Sequence, residues 1–287
     1  MALALAINAA MLAAAVAGWL VFDSVALMAD AGHVLSDIGA IVLGIAAAWA
    51  ASRPARGRRT FGLRRAEIFA ALANGVVLVA VAVWVFWEAI SRLSDSPDVD
   101  GAGIAAVGAF GLIGNGVATL ILARGDRDDL NLEGVLRHSA ADALGSLGAL
   151  AAGIVILADG PREADAVAAL LIGCLILLGS WRLIRDPLDV LLESAPRGVD
   201  VSEVGDAICR VDGVREVHDL HIWTVTSGFA ALAAHVRTDP HGNSEAIRTA
   251  VEALLRERFG ITHTTLQTMS QPLLSIEDRR REAGEPE

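Results

Sequence analysis

Two apolar stretches of the chain each hold a histidine followed four residues later by an aspartate. One reads Asp30-Ala-Gly-His33-Val-Leu-Ser-Asp37, the other Arg137-His138-Ser-Ala-Ala-Asp142. Ionisable side chains are expensive inside apolar segments long enough to cross a membrane, so their presence there points to function. Positions i and i+4 of a helix share a face about one turn apart, and each pair therefore aims an imidazole and a carboxylate at one point. Two pairs supply four nitrogen and oxygen ligands, the number that a tetrahedral zinc ion takes. Two carboxylates neutralise a divalent cation once the imidazoles are neutral. Histidine must lose its proton to bind metal, so metal and protons compete for such a site. Joined to a switch between inward and outward exposure, that competition is the chemistry of an antiporter. A pair of local His–Asp hydrogen bonds, or a proton relay without metal, would use the same side chains. HExxH is absent, which leaves an intramembrane zinc peptidase without support, and no nucleophile–base set or nucleotide loop points to an enzyme.

The elements that must position these residues are legible from hydropathy. Of 287 residues, 54% are hydrophobic and the mean hydropathy is +0.52, too apolar for an ordinary soluble domain. Stretches at approximately 3–23, 28–51, 66–92, 101–123, 133–158 and 164–186 reach the length needed to span a bilayer. The fold expected is an α-helical membrane protein of six transmembrane helices followed by an α+β domain. In that domain the order is αββαβ: a helix at 201–210, strands at 214–225 and 229–238 around the turn Thr226-Ser-Gly228, a helix at 243–258 capped by Asn243 or Ser244, and a strand at 261–269. Two helices then cover one face of a small sheet. The division expected is 1–189 transmembrane, 190–274 cytoplasmic domain and 275–287 a disordered tail.

Charge placement orients the spans. Arg53, Arg56, Arg58, Arg59, Arg64 and Arg65 lie between the second and third spans, and Arg124, Arg127, Arg182 and Arg185 end the fourth and sixth. The opposite loops are acidic, as in Asp95-Ser-Pro-Asp-Val-Asp100. Arginine excess marks the cytoplasmic side, which predicts a multi-pass protein of the cell membrane with both termini in the cytoplasm and an uncleaved first span. Much of the acidity lies in the C-terminal part, and the net charge of −11 says little about partners. On the second span Asp30, His33 and Asp37 form one polar stripe. On the fifth, Ala141, Gly145, Ser146 and Gly148 beside the ligand pair permit close helix approach. Cys174 and Cys209 lack CxxC spacing and read as small buried apolar residues.

In these residues the chain resembles the cation diffusion facilitator family, in its zinc-transporting branch. The markers run in order along nearly the whole chain: Ala29-Asp-Ala-Gly-His33-Val-Leu-Ser-Asp37, Thr60-Phe-Gly-Leu-Arg-Arg-Ala-Glu67, Asp142-Ala-Leu-Gly-Ser146, Asp186-Pro-Leu-Asp-Val-Leu-Leu-Glu193 and Val217-His-Asp-Leu-His-Ile-Trp223. The resemblance implies a homodimer of six-span protomers exchanging Zn²⁺ for protons through His33, Asp37, His138 and Asp142. An aspartate at position 33 would go with broader tolerance of cadmium, and Asp30, a turn away, is read as a pathway or structural residue. The resemblance also implies a further, structural zinc ion in the cytoplasmic domain at His218, His235 and His263. Thr265 stands where some relatives carry an acidic ligand, with His221 or Gln267 as substitutes; the competing reading makes these histidines ordinary polar residues of a dimer surface. His241 reads as a solvated loop residue. A loop site of other relatives is expected to be absent, since Arg59 and Leu63 occupy its places, and Arg65 is expected to pair with Glu193. The remaining loop arginines face lipid. The partners expected are thus a second copy, membrane lipid and protons, with no nucleic acid. Two other functions fit the same residues: export of Co²⁺, Cd²⁺, Mn²⁺ or Fe²⁺, or metal sensing by a membrane protein that transports nothing.

Overall fold

A computed structural model describes residues 2–123 and 132–270, with side chains described at 9–117, 119–120 and 140–270. The expected tail at 275–287, Arg124, Arg127 and the side chain of His138 lie outside these described residues. Helices come first: α1 (Ala2–Phe22), α2 (Val25–Ala51), α3 (Ala66–Ser94), α4 (Gly101–Ala123), α5 (Leu132–Leu157) and α6 (Glu163–Leu191). Apolar stretches long enough to cross a membrane lie in α2, α3, α5 and α6; among the described residues α1 and α4 contribute shorter ones, Ala9–Phe22 and Gly101–Val117. The chain divides into two compact units, Met1–Ala50 with Phe69–Asp186, and Ala51–Ile68 with Pro187–Glu287. The last boundary falls at Pro187, inside α6, where the missing N–H interrupts the helical hydrogen-bond ladder.

The first unit packs around Leu27, Val85, Ile104, Ala149, Ala169 and Ile172. Small residues bring α4 and α5 together: a Cβ at Gly153 would stand 2.3 Å from Ala105 N, and one at Gly108 would stand 2.5 Å from Leu150 N. Helices in lipid gain van der Waals contact by such approach, and here it fixes the helix that carries Asp142. The start of α2 is fixed by polar bonds. Leu27 N donates to Ser24 Oγ at 3.2 Å, while Asp165 of α6 accepts from Val25 N at 2.7 Å and from Ser24 Oγ at 2.5 Å. A carboxylate on these first amides satisfies donors that the helix itself leaves over and complements its dipole. Further along, buried Ser36 donates to Asn74 Oδ1 at 3.0 Å and ties α2 to α3.

The second unit holds α7 (Val201–Cys209), β1 (Val214–Thr226), β2 (Phe229–Thr238), α8 (Ser244–Phe259) and β3 (His263–Met269). The sheet runs β1-β2-β3, with β1 antiparallel and β3 parallel to β2. A parallel neighbour needs a crossover, and α8 provides it. Asp200 caps α7 and Asn243 caps α8, each by accepting from first-turn amides; Gly260, at φ 68°, ends α8 in the left-handed conformation that glycine takes without penalty. Val204, Ile208, Leu232, Val236, Val251 and Leu255 form the core. The connection at 51–68 belongs to this unit: Arg65 Nη2 meets Glu193 Oε1 at 3.3 Å, Thr226 Oγ1 donates to Glu67 Oε2 at 3.2 Å, and the Arg64 guanidinium lies 4.5 Å from the centre of the Phe229 ring.

Both cysteines are exposed, contrary to the expectation of burial. Cys174 sits two positions from buried Ile172 and Ile176, about half a helical turn away, and so faces outward. Cys209 follows buried Ile208 at the last position of α7 and turns to the surface.

Candidate metal centre

His33 and Asp37 leave α2 on one face, as their spacing requires, and Asp142 meets them from α5. His33 Nε2 lies 2.9 Å from Asp142 Oδ1 and 3.9 Å from Asp37 Oδ2. One ligand atom from each of the three lies within 4.8 Å of those of the others, an arrangement that one cation can bridge. All three side chains are partly buried and border a cavity of about 240 Å³ whose remaining walls include Leu78, Ile172 and Ile176. Apolar walls exclude water and strengthen each charge interaction inside. A proton on Nε2 serves the bond to Asp142, whereas a metal on Nε2 takes its place. His138 occupies α5 one turn before Asp142 in the chain, and its side chain lies outside the described residues.

Asp30, one turn before His33 on α2, is buried and lines the same cavity. Gly145 of α5 faces it: a Cβ there would stand in ordinary contact, 3.8 Å from Asp30 Oδ1.

The three cytoplasmic histidines are placed differently. His218 and His235 are cross-strand partners with ring centres 5.2 Å apart. His263 pairs with Ala231 across β2 and β3, whereas the β3 residue beside His235 is Gln267, four positions further along. Four strand residues span roughly 13 Å. The His263 ring instead lies 5.6 Å from that of Phe61 and 5.5 Å from that of Phe229. Between His218 and His221, β1 advances three residues while β2 advances two, from His235 to Ala233. This bulge puts Asp219 at φ 55° and lets its carboxylate reach His221 Nε2 at 3.1 Å and His235 Nδ1 at 3.7 Å. Thr265 pairs with Ala233, and His241 is an exposed loop residue.

Sequence reasoning missed Asp219, Asp165 and Asn74. Asp165 stands 141 positions from Ser24 in the chain, and no local spacing signals such a pair. Asp219 was visible only as the residue between two histidines.

A multi-pass helical bundle with a carboxylate–imidazole cluster inside it, joined to a small α+β domain, defines a membrane carrier of cations. Residues 1–192 match the cation efflux transmembrane domain and residues 196–269 the cytoplasmic domain of cation efflux proteins, so the chain belongs to the cation efflux family, whose members are transporters and not enzymes. It is 39% identical over 266 residues to the metal cation efflux system protein CzcD of Cupriavidus metallidurans, covering 92% of this chain and 84% of that protein. It is 37% identical over 262 residues to a cadmium, cobalt and zinc/H(+)-K(+) antiporter of Bacillus subtilis, covering 90% and 84%. With the zinc transporter ZitB of Escherichia coli it shares 33% over 271 residues, covering 94% and 86%. Among solved structures, the metal-bound C-terminal domain of the CzcD transporter is 42% identical, covers 25% of this chain and 99% of its own, and superposes with a TM-score of 0.24. The chain is thus a multi-pass membrane protein of divalent metal cation efflux.

Proposed function

We propose that the chain exports Zn²⁺ from the cytoplasm in exchange for protons by alternating access, with His33, Asp37, His138 and Asp142 as the ligands of the moving ion. The observation that carries this reading is the meeting of His33, Asp37 and Asp142 from two helices, with ligand atoms within 4.8 Å. Loading metal takes the Nε2 position of His33 from a proton, so each inward-facing loading event sheds protons and each outward-facing release recovers them. The functional unit is a homodimer in the cell membrane, with residues 1–189 spanning it and residues 190–274 on the cytoplasmic side together with both termini. His218 and His235, with Asp219, hold a structural zinc in the cytoplasmic domain; His263 stands apart from them within one protomer.

A second reading, a carrier of several divalent cations through the same site, is favoured by similarity to the Bacillus subtilis relative, a cadmium, cobalt and zinc/H(+)-K(+) antiporter. The test is transport in proteoliposomes with an acidic lumen. Wild type should take up zinc while the lumen loses protons, and Asp37→Ala or Asp142→Ala should do neither while remaining dimeric. Full zinc uptake by either variant would overturn the assignment, and equal uptake of zinc, cadmium and cobalt by wild type would favour the second reading.

A further inference from the structure

The cavity beside the ligand trio has a second polar level, one helical turn along α2. Asp30 precedes His33 by three positions and Asp37 by seven, about 4.5 and 10 Å along the helix axis. It is only 9% exposed, and it lines the cavity together with His33, Asp37 and Asp142. Among the described residues its carboxylate accepts no hydrogen bond and forms no ion pair. Gly145 of α5 faces it and supplies no side chain; a Cβ there would stand 3.8 Å from Asp30 Oδ1 with nothing closer. His138 lies seven positions before Gly145 on α5, about 10 Å from that level along the helix. The cavity, about 240 Å³, has room at the Asp30 level for an ion with water around it.

A carboxylate buried among apolar groups is costly unless positive charge balances it, and within a membrane span such a residue marks function. His33 is neutral when it binds metal, so in the loaded state the charge that can balance Asp30 is the cargo itself. An ion passes through a protein only where its binding is weak enough, or divided over enough positions, to let it leave. One carboxylate completed by water holds a divalent cation less firmly than the four proposed ligands do together. We infer that Asp30 forms a second stop for the transported divalent cation, held there by one carboxylate and water after it leaves His33, Asp37 and Asp142. With both termini on the cytoplasmic side, the Asp30 end of α2 is the far end, so the stop lies on the exit side. The inference rests on the export reading above and holds whichever divalent cation is carried.

Full-length Asp30→Asn tests it, in detergent for zinc binding and in proteoliposomes with an acidic lumen for zinc uptake. Binding, read with the cytoplasmic site removed by His218→Ala/His235→Ala, should stay within about threefold of the same protein carrying Asp30. The maximal uptake rate should fall about tenfold at unchanged KM, as when an interaction used only after loading is lost. Asp30→Asn/Gly145→Asp returns a carboxylate to the same level from α5, where there is space for a Cβ, and should recover most of the rate; a purely structural role for Asp30 would not be restored from another helix. Asp30→Ser, followed by the same two readouts, keeps the test open if Asp30→Asn folds poorly. Wild-type uptake without the Asp30 carboxylate, loss of binding along with uptake in monodisperse protein, or no recovery with Gly145→Asp would each overturn the inference. Asp142→Ala separates the two readings. If it transports zinc like wild type, the export site falls and the second stop with it; if it is inactive while Asp30→Asn is fully active, only the second stop falls.

Discussion

The helical bundle and the sheet domain each hold histidines and aspartates in short sequence patterns, but they bring these residues together differently: His33, Asp37 and Asp142 meet in the bundle, whereas His263 stands away from His218 and His235 in the sheet domain. In the bundle, a spacing of four on α2 becomes one face, and α5 delivers Asp142 to it at 2.9 Å from His33. In the sheet domain the nominated histidines come from three strands; His218 and His235 meet across β1 and β2, while His263 is displaced along β3 to an aromatic contact with Phe61 and Phe229. Helical periodicity stacks ligands within one element. Strand register decides whether ligands from different elements meet, and register depends on pairings and bulges that lie far apart in the chain.

The widest separation between the two regions should come from transport. Asp37→Ala or Asp142→Ala should lower zinc flux in proteoliposomes by more than about 100-fold, since even outer-shell partners of a metal commonly cost about 10–100-fold. The double variant His218→Ala/His235→Ala should stay within about threefold of wild type, because those residues hold no moving ion; a loss as large as that of Asp142→Ala would erase the contrast. Next in size is metal choice. His33→Asp replaces a borderline nitrogen ligand by a hard oxygen, and the ratio of cadmium to zinc transport should shift by about tenfold or more; an unchanged ratio would remove His33 from the ion's path. Within the sheet domain, His218→Ala/His235→Ala should weaken zinc binding to the full-length protein's cytoplasmic site by about tenfold in equilibrium dialysis, whereas His263→Ala leaves it unaltered. Equal losses would mean that the partner protomer or a rearrangement brings His263 in.

The smallest effects concern the scaffold around the bundle site. Gly153→Leu must push α5 from α4, because even a Cβ meets Ala105 N at 2.3 Å, and should cost about 1–3 kcal/mol in detergent unfolding. Gly44→Leu, with open space around its position, should cost far less. Asn74→Ala, which strands buried Ser36, should cost about 1 kcal/mol.

The expected helices and strands were legible because each is announced locally. Asp23-Ser24 breaks α1 from α2, Asn243 caps α8, and the alternation at 214–238 is broken at Thr226-Ser-Gly228. The ligand trio was legible for the same reason: two copies of one helical spacing nominate the residues before any packing is known. What stayed hidden depends on contact between distant segments. Asp165 holding the start of α2, Asn74 bonding Ser36, and Asp30 sharing the ligand cavity all require the helices to be assembled first. The cysteines illustrate the converse failure. Their composition-based burial was wrong because a helix position, not a residue type, decides which way a side chain points.

The contrast rests on one ion lying between α2 and α5, and anomalous scattering at the zinc edge from zinc-loaded crystals of the full-length protein would locate it. The account predicts a peak within coordination distance of His33 Nε2, Asp37 and Asp142, about 2.0–2.2 Å from each ligand atom, with His138 as the fourth ligand. A zinc peak in the cytoplasmic domain with none between α2 and α5 would contradict it.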